Sequence, residues 1–225
     1  MRVEVYWSHS FLPDLVRPDG IVFDFGVNDG GFSRLVASRC RTVIGFEPDP
    51  AWKGEQVLPA NVRVVPMAIA ARAGKMAFHV NAALCSSMHY AETNARDVQV
   101  EAVTLADALA LEPEGRIDLL KIDIEGEEVD VLLGAPAAAL ARVAQMTVEF
   151  HDFLDPSAVP RIREVMQRMR GLGFHVVCFS FRSYGDVLFV NSRLVPLSLW
   201  QRLWLSVRFK YLRGLSRAAS RLLPS

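Results

Sequence analysis

Cysteine is scarce in this sequence: there are three, at positions 40, 85 and 178, with no C-x-x-C pair. That excludes a disulfide framework and the paired spacing of a structural zinc site, and fits reduced thiols. No stretch of about 18 uncharged apolar residues is present, so no spanning helix is expected. The first residues, Met1 to Trp7, lack the apolar core of a signal peptide, and a cytoplasmic location is expected. Net charge is also absent, with 25 basic against 25 acidic residues. The balance is uneven, however. Residues 197–225 carry six Lys/Arg and no acid, leaving 19 basic against 25 acidic residues in the first 196. With 51% hydrophobic and 22% charged residues, disorder is excluded. A length of 225 residues suits one α/β domain with a full core.

The apolar runs alternate with helical spacings. Strands are expected at 3–7, 21–26, 42–47, 62–67, 75–80, 98–103, 117–123, 144–150, 174–180 and 187–191. Helices are expected at 31–38, from Pro48 and Asp49 through Val57, at 105–111 behind a Thr104 cap, at 127–133, after Pro136, and in a long amphipathic segment after Pro156 and Pro160. In that last segment Ile162, Val165, Met166 and Met169 share one face. Residues 84–88 read as a small polar loop. The last two core strands are joined by a short turn at Tyr184–Asp186 and must be antiparallel. The fold class is therefore α/β: a Rossmann-like, doubly wound, mostly parallel seven-stranded sheet that ends in an antiparallel hairpin, as in class I methyltransferases. Residues 197–225 are expected to add a basic amphipathic helix. The domain is thus 1–196, with its core at 20–192, and the tail is 197–225.

Three clusters carry chemistry. In the first, a buried strand runs into Asp24, Gly26, Asn28 and Gly30, and Glu47 ends the next strand. A carboxylate at that spacing suits ribose hydroxyls. A dinucleotide fingerprint requires glycine where Asn28 stands, and Asp24 would repel a phosphate. A cationic cofactor without phosphates fits better, which means S-adenosyl-L-methionine: Asp24 and the loop toward its methionine part, Glu47 toward its ribose. The second cluster is Lys121, Asp123 and Glu125 at a strand end. Lys121 and Asp123 share a face, and a lysine in so apolar a run needs a partner. The third is Glu149 and His151, placed to converge with Asp123; His151 or a carboxylate could accept a proton from a hydroxyl. A metal held by Asp123, Glu125, Glu149 and His151 is conceivable, but the spacing is not diagnostic and none is expected.

With these clusters in hand the chain resembles the FkbM family of S-adenosylmethionine-dependent methyltransferases over residues 20–192. The matching segments are 22–30, Phe46-Glu47-Pro48, Ser86-Ser87, Val103-Thr104-Leu105, 118–126 and 148–151, of which Lys121–Gly126 is the most specific. The family often has aspartate where Ala106 stands and an apolar residue where Asp29 stands. The resemblance implies O-methylation of a hydroxyl on a small-molecule, sugar or glycan acceptor. It implies that Asp24, Gly26, Asn28 and Glu47 bind the cofactor, with Met67 and Ala68 beside the adenine. Lys121, Asp123, Glu125, Glu149 and His151 would line the reaction site. An NAD-dependent oxidoreductase and a non-catalytic cofactor-binding scaffold are the alternatives.

In the tail, Trp200, Leu203, Trp204, Val207, Tyr211 and Leu215 fall at helical spacing among arginines. Such a helix suits peripheral contact with the inner face of a membrane, or docking on its own sheet or a second subunit. The acidic body argues against nucleic acid as a partner.

Overall fold

The computed structural model describes residues 1–80, 96–180 and 183–207. The loop expected at 84–88, with Ser86-Ser87 and Cys85, lies outside the described residues, as does the tail beyond Val207. The strands are β1 (Glu4–Tyr6), β2 (His9–Phe11), β3 (Ile21–Phe25), β4 (Thr42–Phe46), β5 (Val62–Val65), β6 (Ala68–Ile69), β7 (Gly74–Val80), β8 (Arg96–Val103), β9 (Leu119–Ile122), β10 (Gln145–Val148), β11 (Phe174–Cys178) and β12 (Val187–Asn191). The helices are α1 (Gly31–Ala37), α2 (Leu105–Leu109), α3 (Glu128–Gly134), α4 (Ala137–Ala141) and α5 (Val159–Gly171).

Seven strands form the main sheet in the order β11-β12-β10-β9-β3-β4-β5. Neighbours from β5 to β10 are parallel, and β12 is antiparallel to both β10 and β11. β6, β7 and β8 make a separate three-stranded sheet. Strand alternation divides the core. Phe23, Phe25, Leu120, Ile122, Met146 and Val148 face α2 to α5, where Ile162, Val165, Met166 and Met169 are all buried. Val22, Val43 and Leu119 face Phe32 and Val36 of α1 on the opposite side. Leu188 and Val190 lie on that side too, packed with Leu12 and Leu205.

Two local expectations are corrected. No helix starts at Pro48; only a short 3-10 turn, Gly54–Val57, forms. Pro50 disfavours helical backbone at the residue before it, and the Asp49 carboxylate accepts from Ala51 N–H at 2.8 Å in place of a helical carbonyl. The expected strand at 3–7 is half of a hairpin: Trp7 takes a left-handed φ of 52° and the chain returns as β2, pairing Tyr6 with His9.

That hairpin is fastened to the sheet by buried polar groups. Ser10 donates from N–H and Oγ to Asp186, at 3.0 and 2.7 Å. Gln145 Oε1 accepts from Leu12 N–H at 2.8 Å and its Nε2 donates to Leu12 O at 2.9 Å. Gln145 and Leu12 are fully buried. Gln145→Leu would leave the buried Leu12 N–H without a partner and its carbonyl with Leu15 N–H alone, and we expect it to lower the unfolding free energy by about 2 kcal/mol in urea denaturation.

Candidate active site

The parallel strands end on one edge, and the turns there build the site. Between β3 and α1 the chain must reverse against β9. Gly26 has φ 82°, and a Cβ on it would come within 1.8 Å of the Asp123 carbonyl oxygen, so only glycine fits. Asn28 has φ 50°, which asparagine tolerates better than most residues. Five N–H groups of this turn are used within the protein. Gly26 and Val27 donate to Phe46 O, Gly30 to Val27 O, and Gly31 to Asp29 Oδ1. Asn28 N–H donates to Glu47 Oε2 at 3.0 Å. Asp49 N–H donates to the other Glu47 oxygen at 3.0 Å. Burial raises the Glu47 carboxyl above its ordinary range, against the pull of these two N–H groups.

A pocket opens beside this turn, lined on one side by Gly26, Asn28 and Glu47 and on another by Met67, Ala68, Ile69 and Phe78. Asp123, Ile124 and Glu125 close it from β9. Among the described residues, its charged lining residues are Glu47, Asp49, Asp123 and Glu125, all acids.

Asp24 does not reach the pocket. It is fully buried, accepts from Ser33 Oγ at 2.6 Å, and lies 3.2 Å from Lys121 Nζ. Gly30 is not in the lining either; it caps α1. The Lys121 ammonium is 3.3 Å from Asp123 Oδ2 and donates to Gly26 O at 2.6 Å. Burial opposes its charge, but Asp24 and Asp123 outweigh burial and raise its pKa. Burial likewise disfavours charge on Asp123, yet Lys121 and His9 hold it well below the usual carboxylate range.

Around Asp123 the structure gathers the remaining residues. His151 Nε2 is 3.8 Å from Asp123 Oδ1 and 2.9 Å from Glu125 Oε2, and its Nδ1 is 3.0 Å from Glu128 Oε1. Burial alone would keep this imidazole neutral. Its hydrogen bonds to Glu125 and Glu128 prevail and push its pKa up to about 11. His151 therefore already carries two protons at neutral pH and has no site to accept another. Glu149 takes a hydrogen bond from Ser8 Oγ and lies 3.8 Å from His9 Nε2. Burial and the Asp123 charge raise its pKa. Asp123, Glu125 and His151, and separately His9, Asp123 and Glu149, bring donor atoms within 4.8 Å of one another, sets able to hold a cation.

Sequence reasoning missed three participants. Ser8 and His9 arrive on the hairpin, with His9 Nε2 3.2 Å from Asp123 Oδ2; no local pattern marks them. Glu128 opens α3, accepting from Ile124 and Gly126 N–H at 3.1 Å. An acid in a first helical turn is a signal that could have been read. Glu125 sits between them with a left-handed φ of 56°, a strained position for a non-glycine residue.

The His151 clamp should show in the pH dependence of stability. Its folded pKa lies above the unfolded value of about 6.5. The stabilisation is thus complete below pH 6.5 and is lost progressively as pH rises toward about 11. Urea denaturation between pH 6.5 and 10 should show a decline in the wild type that His151→Gln flattens.

Comparison with known proteins follows the same residues. The model of the Methyltransferase FkbM domain matches residues 24–176. The 31-O-demethyl-FK506 methyltransferase FkbM of Streptomyces tacrolimicus is 29% identical over 216 residues, covering 77% of this chain and 80% of that protein. The AMB antimetabolite synthetase AmbE of Pseudomonas aeruginosa is 48% identical over 61 residues, which is 27% of this chain; the chain spans only 3% of AmbE's length. Among solved structures, an rRNA methylase from Streptococcus thermophilus aligns over 80% of this chain and 90% of that one, with a TM-score of 0.46 and 10% identity. The domain match takes in more than half of the chain, including the β3 turn, Glu47, the Lys121–Gly126 segment and the Glu149/His151 pair, and the chain belongs to the FkbM methyltransferase family.

Proposed function

We propose that the protein is an S-adenosyl-L-methionine-dependent O-methyltransferase of the class I fold, acting on a hydroxyl of a small-molecule, sugar or glycan acceptor. The observation that carries this reading is the charge of the pocket. Among the described residues, four carboxylates and no basic side chain line it. The adjoining turn, moreover, spends the N–H groups of Gly26, Val27, Asn28, Gly30 and Gly31 internally. Such a site disfavours a pyrophosphate, which requires free N–H groups or cations. It favours a cationic ligand whose sugar hydroxyls can donate to a carboxylate. Glu47 suits that role, since each oxygen has a second lone pair beyond the bond it already accepts. Met67, Ala68, Ile69 and Phe78 offer an apolar wall for a base. The relative whose name records a 31-O position supports an oxygen acceptor.

S-adenosyl-L-methionine, when bound, supplies an electrophilic methyl group on a sulfonium. The chain's own residues would align an acceptor hydroxyl with it and take up the hydroxyl proton. Glu149 is the base we assign. Its raised pKa brings its proton affinity nearer neutrality, its side chain keeps 19% exposure, and Ser8 and His9 hold it in place. His151, already protonated, orients Glu125 and stands beside Asp123 as a fixed positive charge. Lys121 positions Asp123 and the Gly26 carbonyl rather than meeting a ligand.

Calorimetric titration with S-adenosylhomocysteine tests the cofactor. Binding to wild type, weakened about tenfold or more in Glu47→Ala, is expected, since that change removes the acceptor of at least one hydrogen bond. Binding of NAD in its place would decide for an oxidoreductase. Once an acceptor is in hand, Glu149→Gln should lower kcat by about 10²-fold or more while leaving S-adenosylhomocysteine affinity unchanged. Full turnover in that variant would remove Glu149 from the role. Cofactor binding without turnover on any acceptor would favour the scaffold reading.

A further inference from the structure

The described part of the tail is a helix over 199–207. Its start is capped reciprocally: Ser198 N–H donates to Gln201 Oε1 at 2.8 Å, and Gln201 N–H to Ser198 Oγ at 3.2 Å. Leu205 is fully buried against the sheet in a cluster with Leu12, Val177, Leu188 and Val190, and Trp204 packs at its edge. Docking on the protein's own body is therefore accomplished by one face. At about 100° per residue, Leu199, Trp200, Leu203 and Val207 fall within an arc of roughly 100° opposite Leu205. They are 80, 79, 50 and 45% exposed. One exposed leucine needs no explanation; four adjacent apolar residues including a tryptophan do.

Charge identifies what covers this face. After Asp186 the sequence holds no acidic residue, while it holds Arg193, Arg202 and five further Lys/Arg between 208 and 225. A second copy seated on the face would bring the same uncompensated positive charge with it. A nucleic acid would meet the arginines but has no use for Leu199, Leu203 and Val207. A surface of anionic lipids accepts both: tryptophan and leucine at the headgroup boundary, basic residues near the phosphates. Among the described residues no helix is long and apolar enough to cross a membrane, so contact is with the surface.

We propose that the face formed by Leu199, Trp200, Leu203 and Val207, together with the acid-free basic sequence around it, docks on an anionic lipid surface. The placement beside the methyltransferase sheet would bring the enzyme to acceptors held at, or released from, that surface.

The test is co-sedimentation of the full chain with vesicles of phosphatidylcholine alone and of phosphatidylcholine mixed with phosphatidylglycerol. We expect binding to the mixed vesicles that weakens as salt rises, with little binding to phosphatidylcholine. The double variant Trp200→Glu, Leu203→Glu should lose that binding by about tenfold or more while keeping the wild-type thermal unfolding, because both side chains are exposed. No binding of wild type to the mixed vesicles overturns the proposal, and so does undiminished binding of the double variant. A lipid-free dimer that the double variant abolishes, with no vesicle binding in the wild type, would assign the face to a second copy.

Discussion

A buried ammonium organises this molecule. Lys121 lies in the middle of β9 with its charge out of water, and such a charge is tolerable only when paired. Its partners come from separate pieces of chain: Asp24 in β3, Asp123 just past the end of β9, and the Gly26 carbonyl in the turn beyond β3. One side chain thus ties the two central strands to the turn that forms the pocket. It also spaces the acids. Asp24 is spent on Lys121 and Ser33, while Asp123 keeps an edge toward the pocket.

Beyond Lys121 the site is an excess of carboxylates arranged around limited positive charge. Glu125 and Glu128 are balanced by His151. Glu149 is approached by the hydroxyl of Ser8 and, at longer range, by His9. On the far side Glu47 accepts from the backbone N–H groups of Asn28 and Asp49. The consequence is a gradient: an interior whose charges are paired and an acidic lining facing the pocket. That gradient is the basis of the cationic, phosphate-free ligand proposed above, and it arises from pairing within the fold rather than from the count of acids.

The N-terminal hairpin and the C-terminal helix occupy the same side of the sheet, on the face that carries α1. Leu12 and Leu205 belong to one apolar cluster there, joined by Val177, Leu188 and Val190. The two ends of the described chain therefore share a foundation. The hairpin uses it to deliver Ser8 and His9 to the site, and the helix uses it to present Trp200 outward.

By itself the sequence determined the strand–turn–helix order, because apolar runs and their Gly and Pro boundaries obey local geometry. It likewise determined that the last two strands of the main sheet run antiparallel, since a connection as short as Tyr184–Asp186 permits nothing else. Strand alternation by itself puts Lys121 with Asp123, and Glu149 with His151, on shared faces. Tertiary structure decided what those residues could do. Asp24 read as a ligand contact, yet burial and Lys121 claim it. For the proton acceptor the sequence left His151 or a carboxylate, and the hydrogen bonds of His151 to Glu125 and Glu128 raise its pKa. Ser8 and His9 carried no pattern that pointed to Glu149 and Asp123, because contacts across more than a hundred residues are set by packing and not by spacing. Local periodicity fixes which way a side chain points; only the folded chain fixes what stands opposite it, and the charge each group holds follows from that neighbour.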